Sequence, residues 1–250
     1  MQKLTIFRAS GPRVLLEILH RHPGVGQIDW VEEERVEIAF IEGTSLRSAR
    51  QGVPTIEGPY GLLELMDNNP LVCARHASCP GPAATLALIA LGPLARAEMI
   101  ADEPTLTFNF EDRHEEIAAA LATEGWQQGY TISPANDPEK SRVLEGVAEV
   151  PLKETVALED IETLFDDVFG RTFFIRPASA LPEEAVEGSP LARYEFEDYT
   201  APPSPRIRIR VLADRDGKAG AAQVVHLFNV MAGFEEDLGL GEGLNMEQFR

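Results

Sequence analysis

Cys79 stands immediately before a segment that opens with Pro80-Gly81-Pro82 and is almost wholly apolar over residues 83–94. A thiol at a helix N-terminus sits at the positive end of the backbone dipole, which lowers its pKa and populates the thiolate. The thiolate is the form that attacks acyl carbons, so this placement reads as that of a nucleophile. The ordinary alternative is a small buried residue beside a turn. One histidine, His76, lies three residues upstream and is a candidate partner of the thiol by proximity.

These residues need a frame. Residues 3–7 alternate as a short strand, and residues 12–22 place Val14, Leu15, Ile18 and Leu19 at helical spacing. Strands are expected at 28–31 and 36–41, and this order predicts a βαβ unit and a parallel sheet. Residues 42–70, punctuated by glycine and proline, read as loop. Residues 71–74 read as a buried strand that delivers Cys79 to its helix. Further on, strands are expected at 105–110, 143–152, 173–176 and 207–212, and helices at 115–123, 158–169 and 221–231. Residues 133–140 read as a polar turn. The proline-rich stretch 177–205 reads as an irregular excursion. In 207–212 isoleucine and valine alternate with Arg208 and Arg210, the pattern of a half-exposed strand.

Composition narrows the classes. The 250 residues include 44% hydrophobic and 25% charged residues, enough for one large or two small domains with a sizeable core. The net charge of −19, from 41 acidic and 22 basic residues, argues against nucleic acid as a partner. The two cysteines, Cys73 and Cys79, fit neither a disulfide framework nor a zinc pattern, and no metal is expected. No apolar run reaches membrane-spanning length and no leader pattern is seen, so a cytoplasmic protein without a membrane partner is expected.

Three segments in order resemble the N-acetyl-γ-glutamyl-phosphate reductase and aspartate-semialdehyde dehydrogenase superfamily. They are Ala9-Ser10-Gly11 with the helix after it; Tyr60-Gly61-Leu62-Leu63-Glu64-Leu65 followed by Cys79-Pro80-Gly81-Pro82-Ala83-Ala84; and the closing segment from Lys218-Ala219-Gly220-Ala221-Ala222-Gln223 to Gly233-Phe234. The resemblance implies an α/β fold: a reduced Rossmann-like parallel sheet formed by both chain ends (1–78 and 214–250), plus an α+β catalytic and dimerisation domain (79–213). It also implies NADP as cofactor, held near Arg8, Ser10, Gly11 and Gln223. Cys79 would form a thioester from an acyl phosphate. The run Asp112-Arg113-His114-Glu115-Glu116-Ile117 is similar to the family's Arg-His motif, one residue shorter, which implies His114 as acid–base and Arg113 as a clamp on the small-molecule substrate; the flanking acids also suit a surface histidine at a helix start. Assembly is expected through the sheet of the second domain.

The departures from that pattern fall on the cofactor loop. Arg8 and Val14 stand where the family has glycines, and Pro12 after Gly11 has no N–H for a phosphate. The stretch before Cys79 is also far shorter than the family's. The reading is therefore a divergent member with lost or weakened NADPH-dependent reduction, serving as a structural or regulatory partner in a homodimer or in a heteromer with an active homologue. Two alternatives stay open: an active compact NADP-dependent acyl-phosphate reductase using Cys79, and a cysteine-dependent thioester hydrolase or acyltransferase.

Overall fold

The computed structural model describes residues 3–66, 68–112, 114–133, 141–153 and 156–241. Strand β1 (Leu4–Ser10) leads into α1 (Arg13–Arg21) and β2 (Val25–Val31), which pairs parallel to β1. Helix α1 buries Leu15, Ile18 and Leu19, the face that its 3.6-residue period predicts. The chain then departs from the expected parallel sheet. Strand β3 (Glu37–Glu42) runs antiparallel to β1, and β4 (Ser45–Gln51) turns back on β3 as a hairpin. Only β5 (His76–Cys79) restores a parallel pair, with β4, so the five-stranded sheet is mixed, in the order β2-β1-β3-β4-β5.

Two local expectations are corrected here. The stretch 42–70 contains β4 and a 3₁₀ turn, Leu63–Leu65, rather than loop alone. Residues 71–74 do not form a strand: α2 (Asn68–Cys73) covers most of them, and the strand begins later, at His76. β4 is a polar strand that buries Arg47 by saturating it. Its guanidinium donates to the carbonyls of Leu71, Val72, Ala74 and Met231 and pairs with Glu42 at 2.6 Å.

A second layer follows. The buried helix α3 (Pro82–Arg96) is followed by β6 (Thr105–Phe108), α4 (Glu115–Thr123), β7 (Thr131–Ser133), β8 (Val143–Pro151) and α5 (Leu158–Phe169). Then come β9 (Ile175–Pro177), β10 (Ala192–Thr200) and β11 (Arg206–Asp214), giving a mixed sheet in the order β7-β6-β8-β11-β10-β9. Strand β10 lies inside the stretch read as irregular; its nine residues pair with β11 along nearly their whole length. Of the expected polar turn at 133–140, residues 134–140 lie outside the described residues. Helix α3 packs against β8 and β11, and Gly146 permits the approach: a Cβ there would lie 3.0 Å from Leu86 Cβ. On β11, Ile207, Ile209 and Val211 are buried, while Arg208 and Arg210 reach Glu145, Glu149, Glu195 and Glu197 in an ion-pair ladder.

The last helix, α6 (Ala221–Ala232), returns to the first sheet and packs on β3, β4 and β5 beside α1. Among the described residues the C-terminal part of the chain thus supplies a helix to this layer and no strand. Among the described residues two large apolar cores result, with a small third cluster of Val143, Leu181, Val186 and Leu212. One joins α3, α4 and α5 to the second sheet; the other joins α1 and α6 to the first and contains Cys79.

Candidate functional site

The β5–α3 junction carries the site. Cys79 ends β5 and is completely buried; its thiol donates to the Arg50 carbonyl at 3.3 Å. Burial pushes the Cys79 thiol up to about 12, and the nearby Glu116 carboxylate adds to the rise. Lys218 and Gln223 act the other way but do not offset it. The lowered pKa expected from the helix dipole is therefore reversed: removing the thiolate from water outweighs the dipole.

Helix α3 begins at Pro82 with Gly81 as its N-cap. Its first amides are a ready anion site, and the chain fills that site from within. The Glu116 carboxylate accepts from Gly81 N at 2.9 Å and from the Tyr60 hydroxyl at 2.8 Å. The Asp112 carboxylate accepts from Ala83 N at 2.9 Å. Burial, only partly offset by these hydrogen bonds, raises the Glu116 carboxyl above its ordinary value. In front of the helix lies a cleft of about 640 Å³ whose charged lining is Glu34, Arg35, Asp112, Glu115 and Glu116. Four carboxylates against one guanidinium make it a poor receptor for phosphates.

The expected cofactor loop is closed as well. The Ser10 hydroxyl donates to the Arg35 carbonyl at 2.7 Å, and Arg8 pairs with Glu33 at 2.5 Å. Gly11 has φ of +141°, but the group pressed against it is protein: an added Cβ would meet Val36 Cγ1 at 3.3 Å. The backbone approach that a pyrophosphate needs is taken by Val36, and Pro12 at the cap of α1 donates nothing. These residues do not fit NADP.

Gln223 faces the junction rather than a cleft. Its amide donates to the Pro80 carbonyl at 2.8 Å and to Thr85 Oγ1 at 3.1 Å, tying α6 to the start of α3. Gln51 joins it, reaching Pro80 O at 3.2 Å and Ala219 O at 2.8 Å. His114 is the N-cap of α4; its ring stacks on Phe108 at 5.5 Å and its carbonyl accepts from Tyr130. No hydrogen bond joins His114 to Cys79 among the described residues; the group of that helix that reaches the junction is Glu116, two residues on. His76 bonds Ser48 at 2.9 Å. Arg113 lies outside the described residues. The residues missed by sequence reasoning are Tyr60, Asp112 and Glu116. Their signal is only indirect: a tyrosine inside a recognisable motif, and acids whose position suits solvation of a helix start.

Two mixed sheets, a buried helix following the strand that ends at Cys79, and a C-terminal helix closing on the first sheet make a fold similar to that of solved semialdehyde dehydrogenases. No family model matches the chain. Among curated proteins it is similar to N-acetyl-γ-glutamyl-phosphate reductase of Archaeoglobus fulgidus, 25% identical over 214 residues, or 74% of this chain. The match spans 62% of that relative's own length. Among solved structures it is similar to aspartate semialdehyde dehydrogenase II of Vibrio cholerae complexed with ASA, with TM-score 0.61, 10% identity and coverage of 93% of this chain and 99% of that one. A second structure of the Vibrio cholerae enzyme matches with TM-score 0.59 at the same identity and coverage. Among the described residues no helix is long and apolar enough to cross a membrane, and no group of three ligating side chains is placed to hold a metal ion.

Proposed function

We propose that this chain keeps the superfamily's architecture without its NADPH-dependent reduction, and acts as a cytoplasmic structural or regulatory subunit. The observation that carries the reading is the α3 N-terminus. Where an acyl phosphate or oxyanion would need free amides, the carboxylates of Glu116 and Asp112 already accept from Gly81 and Ala83. The full burial of Cys79, and the closing of Ser10, Gly11 and Arg8 onto the protein's own residues 33–36, support it independently.

The two large apolar cores support a division into a reduced nucleotide-binding-like unit (1–78 and 214–250) and an α+β unit (79–213). Self-association, or pairing with an active homologue, would use the second sheet. Its half-exposed Arg208–Glu149 and Arg208–Glu197 pairs, at 2.7 and 2.6 Å, present both signs of charge in alternation and can re-pair with a like surface.

Calorimetric titration of the purified protein with NADPH tests the reading. No binding is expected up to about 1 mM. Micromolar binding would overturn it and return the chain to the acyl-phosphate reductases, with a Cys79→Ala control as the next step. A thiol-only enzyme, a thioester hydrolase or acyltransferase, would instead show as selective alkylation of Cys79 at neutral pH without NADPH binding.

A further inference from the structure

A second cavity lies apart from the acid-lined cleft and shares no lining residue with it. It has a volume of about 190 Å³ and is enclosed by the 3₁₀ turn (Glu64), the α5–β9 loop (Arg171, Thr172), α6 (His226) and the segment after it (Glu236), with Leu63 and Met66 as apolar walls. Glu64 and His226 are almost wholly buried, with side chains 2% and 3% exposed. Glu64 gives one carboxylate oxygen to Lys218 Nζ at 2.6 Å, while Lys218 also lies over the Phe174 ring. Its other oxygen, Oε2, has no partner. His226 Nε2 lies 3.1 Å from a Glu236 carboxylate oxygen, an acceptor, which assigns the ring proton to Nε2. Nδ1 is then an acceptor, and it too is buried without a partner, 3.8 Å from Glu64 Oε1. Two unpaired buried acceptors side by side call for a donor.

The charges around the cavity restrict what that donor belongs to. Lys218 and Arg171 are positive, Glu64 and Glu236 negative, and burial keeps His226 neutral by lowering its pKa. Arg171 is exposed and makes no hydrogen bond or ion pair with the described residues. A bare cation would meet Lys218 and Arg171, and a bare anion would meet Glu64 and Glu236. A metal ion lacks a third convergent ligand among the described residues. A net-neutral ligand with an ammonium at one end and a carboxylate at the other suits both the inner acceptors and the outer guanidinium. The volume exceeds that of a single water several-fold, but falls below the roughly 300 Å³ at which pockets for drug-sized ligands begin.

We propose that this cavity binds a small zwitterionic amino acid, its ammonium at Glu64 Oε2 and His226 Nδ1 and its carboxylate at Arg171. Calorimetry on the full chain with glycine, β-alanine and γ-aminobutyrate tests this, since the series varies the separation of the two charges. Propylamine and propionate serve as one-ended controls. One amino acid of the series is expected to bind with at least about tenfold higher affinity than either control. Arg171→Ala changes an exposed residue and leaves the core intact; it is expected to weaken that binding about tenfold or more. Glu64→Gln, checked for folding by circular dichroism, is expected to weaken it as well. The proposal is overturned if no amino acid of the series binds at about 10 mM, which leaves the cavity to water, if a one-ended control binds as tightly, or if Arg171→Ala has no effect.

Discussion

Replacing Glu116 separates the two things its carboxylate does at the start of α3. It accepts two hydrogen bonds, from Gly81 N at 2.9 Å and from the Tyr60 hydroxyl at 2.8 Å, and it brings a negative charge into a partly buried place. Glu116→Ala strands both donors. At about 1 kcal/mol for each bond in a site that water can partly reach, the loss is about 2 kcal/mol of folding stability. Glu116→Gln keeps a carbonyl oxygen as acceptor and removes the charge. Because burial raises the Glu116 carboxyl in the folded state, the folded protein holds this proton more tightly than the unfolded chain does. The contribution is therefore fully present below the ordinary value of 4.5 and is lost as pH rises through the raised folded value. Urea denaturation of the wild type and both variants, at a series of pH values from 4 to 8, measures this. Wild type minus Glu116→Gln should fall across that window and then stay flat, with the glutamine variant at least as stable at pH 8. Should Glu116→Gln prove clearly less stable than wild type at pH 8, attraction of the carboxylate to the helix dipole would exceed the burial penalty. The argument that burial dominates at this junction would then fail, for Cys79 as well as Glu116.

With its thiol pushed up to about 12, Cys79 should react with a thiol reagent at pH 7.5 only after denaturation, so that native protein titrates one thiol, the exposed Cys73; rapid native modification of both contradicts this. Lys218→Met leaves Glu64 as a buried unpaired carboxylate and should lower stability by about 3–5 kcal/mol, with the double variant Lys218→Met/Glu64→Leu recovering most of the loss in the same denaturation assay. His22 and His226 both have pKa values lowered by burial, so unfolded chains bind more protons than folded ones just below pH 6.5, and stability should fall as pH drops from 6.5 through the lowered folded values. NMR titration of the two imidazoles checks this, and a folded pKa at or above 6.5 for either would contradict it. Gly146→Val should destabilise by about 1–3 kcal/mol by pushing α3 off β8, whereas the same change at Gly241, where an added Cβ meets nothing, should be silent in thermal unfolding.

Much of the fold is written in local periodicity. Helices α1, α4, α5 and α6 lie within a residue or two of where apolar spacing puts them, and β11 where isoleucine alternates with arginine. The misses have physical causes. β4 carries Ser45, Arg47, Ser48 and Arg50, which give no apolar alternation, because Arg47 is buried by hydrogen bonding to carbonyls contributed by α2 and α6. β10 is flanked by prolines that mask its own alternation, in which Ala192 and Tyr194 are buried. The strand expected at 71–74 rested on a run too short to tell helix from strand, and the helix prevailed. At the site, the placement of Cys79 before a buried helix was legible. Its thiol pKa was not, because the dipole is a local property and burial a global one. The partnership of Gly81 with Glu116 spans 35 residues and has no periodic signature.

The acids around α3 and the closed loop before α1 answer one another. An active dinucleotide site needs free amides at α1, free amides at α3 and little negative charge between them. Here Pro12 removes one donor, Val36 covers Gly11, and Arg8 is held by Glu33. Independently, Asp112 and Glu116 take the α3 amides, and a cleft with four carboxylates lies in front. Any one of these features weakens anion binding; together they supply internal partners for the groups that an anion would satisfy. Those partners are contacts of the folded chain, so the junction is stable empty and its buried donors are paired. A helix N-terminus carrying its own carboxylates needs no ligand to fold. The same closure leaves Cys79 a packed core residue whose thiol stays protonated.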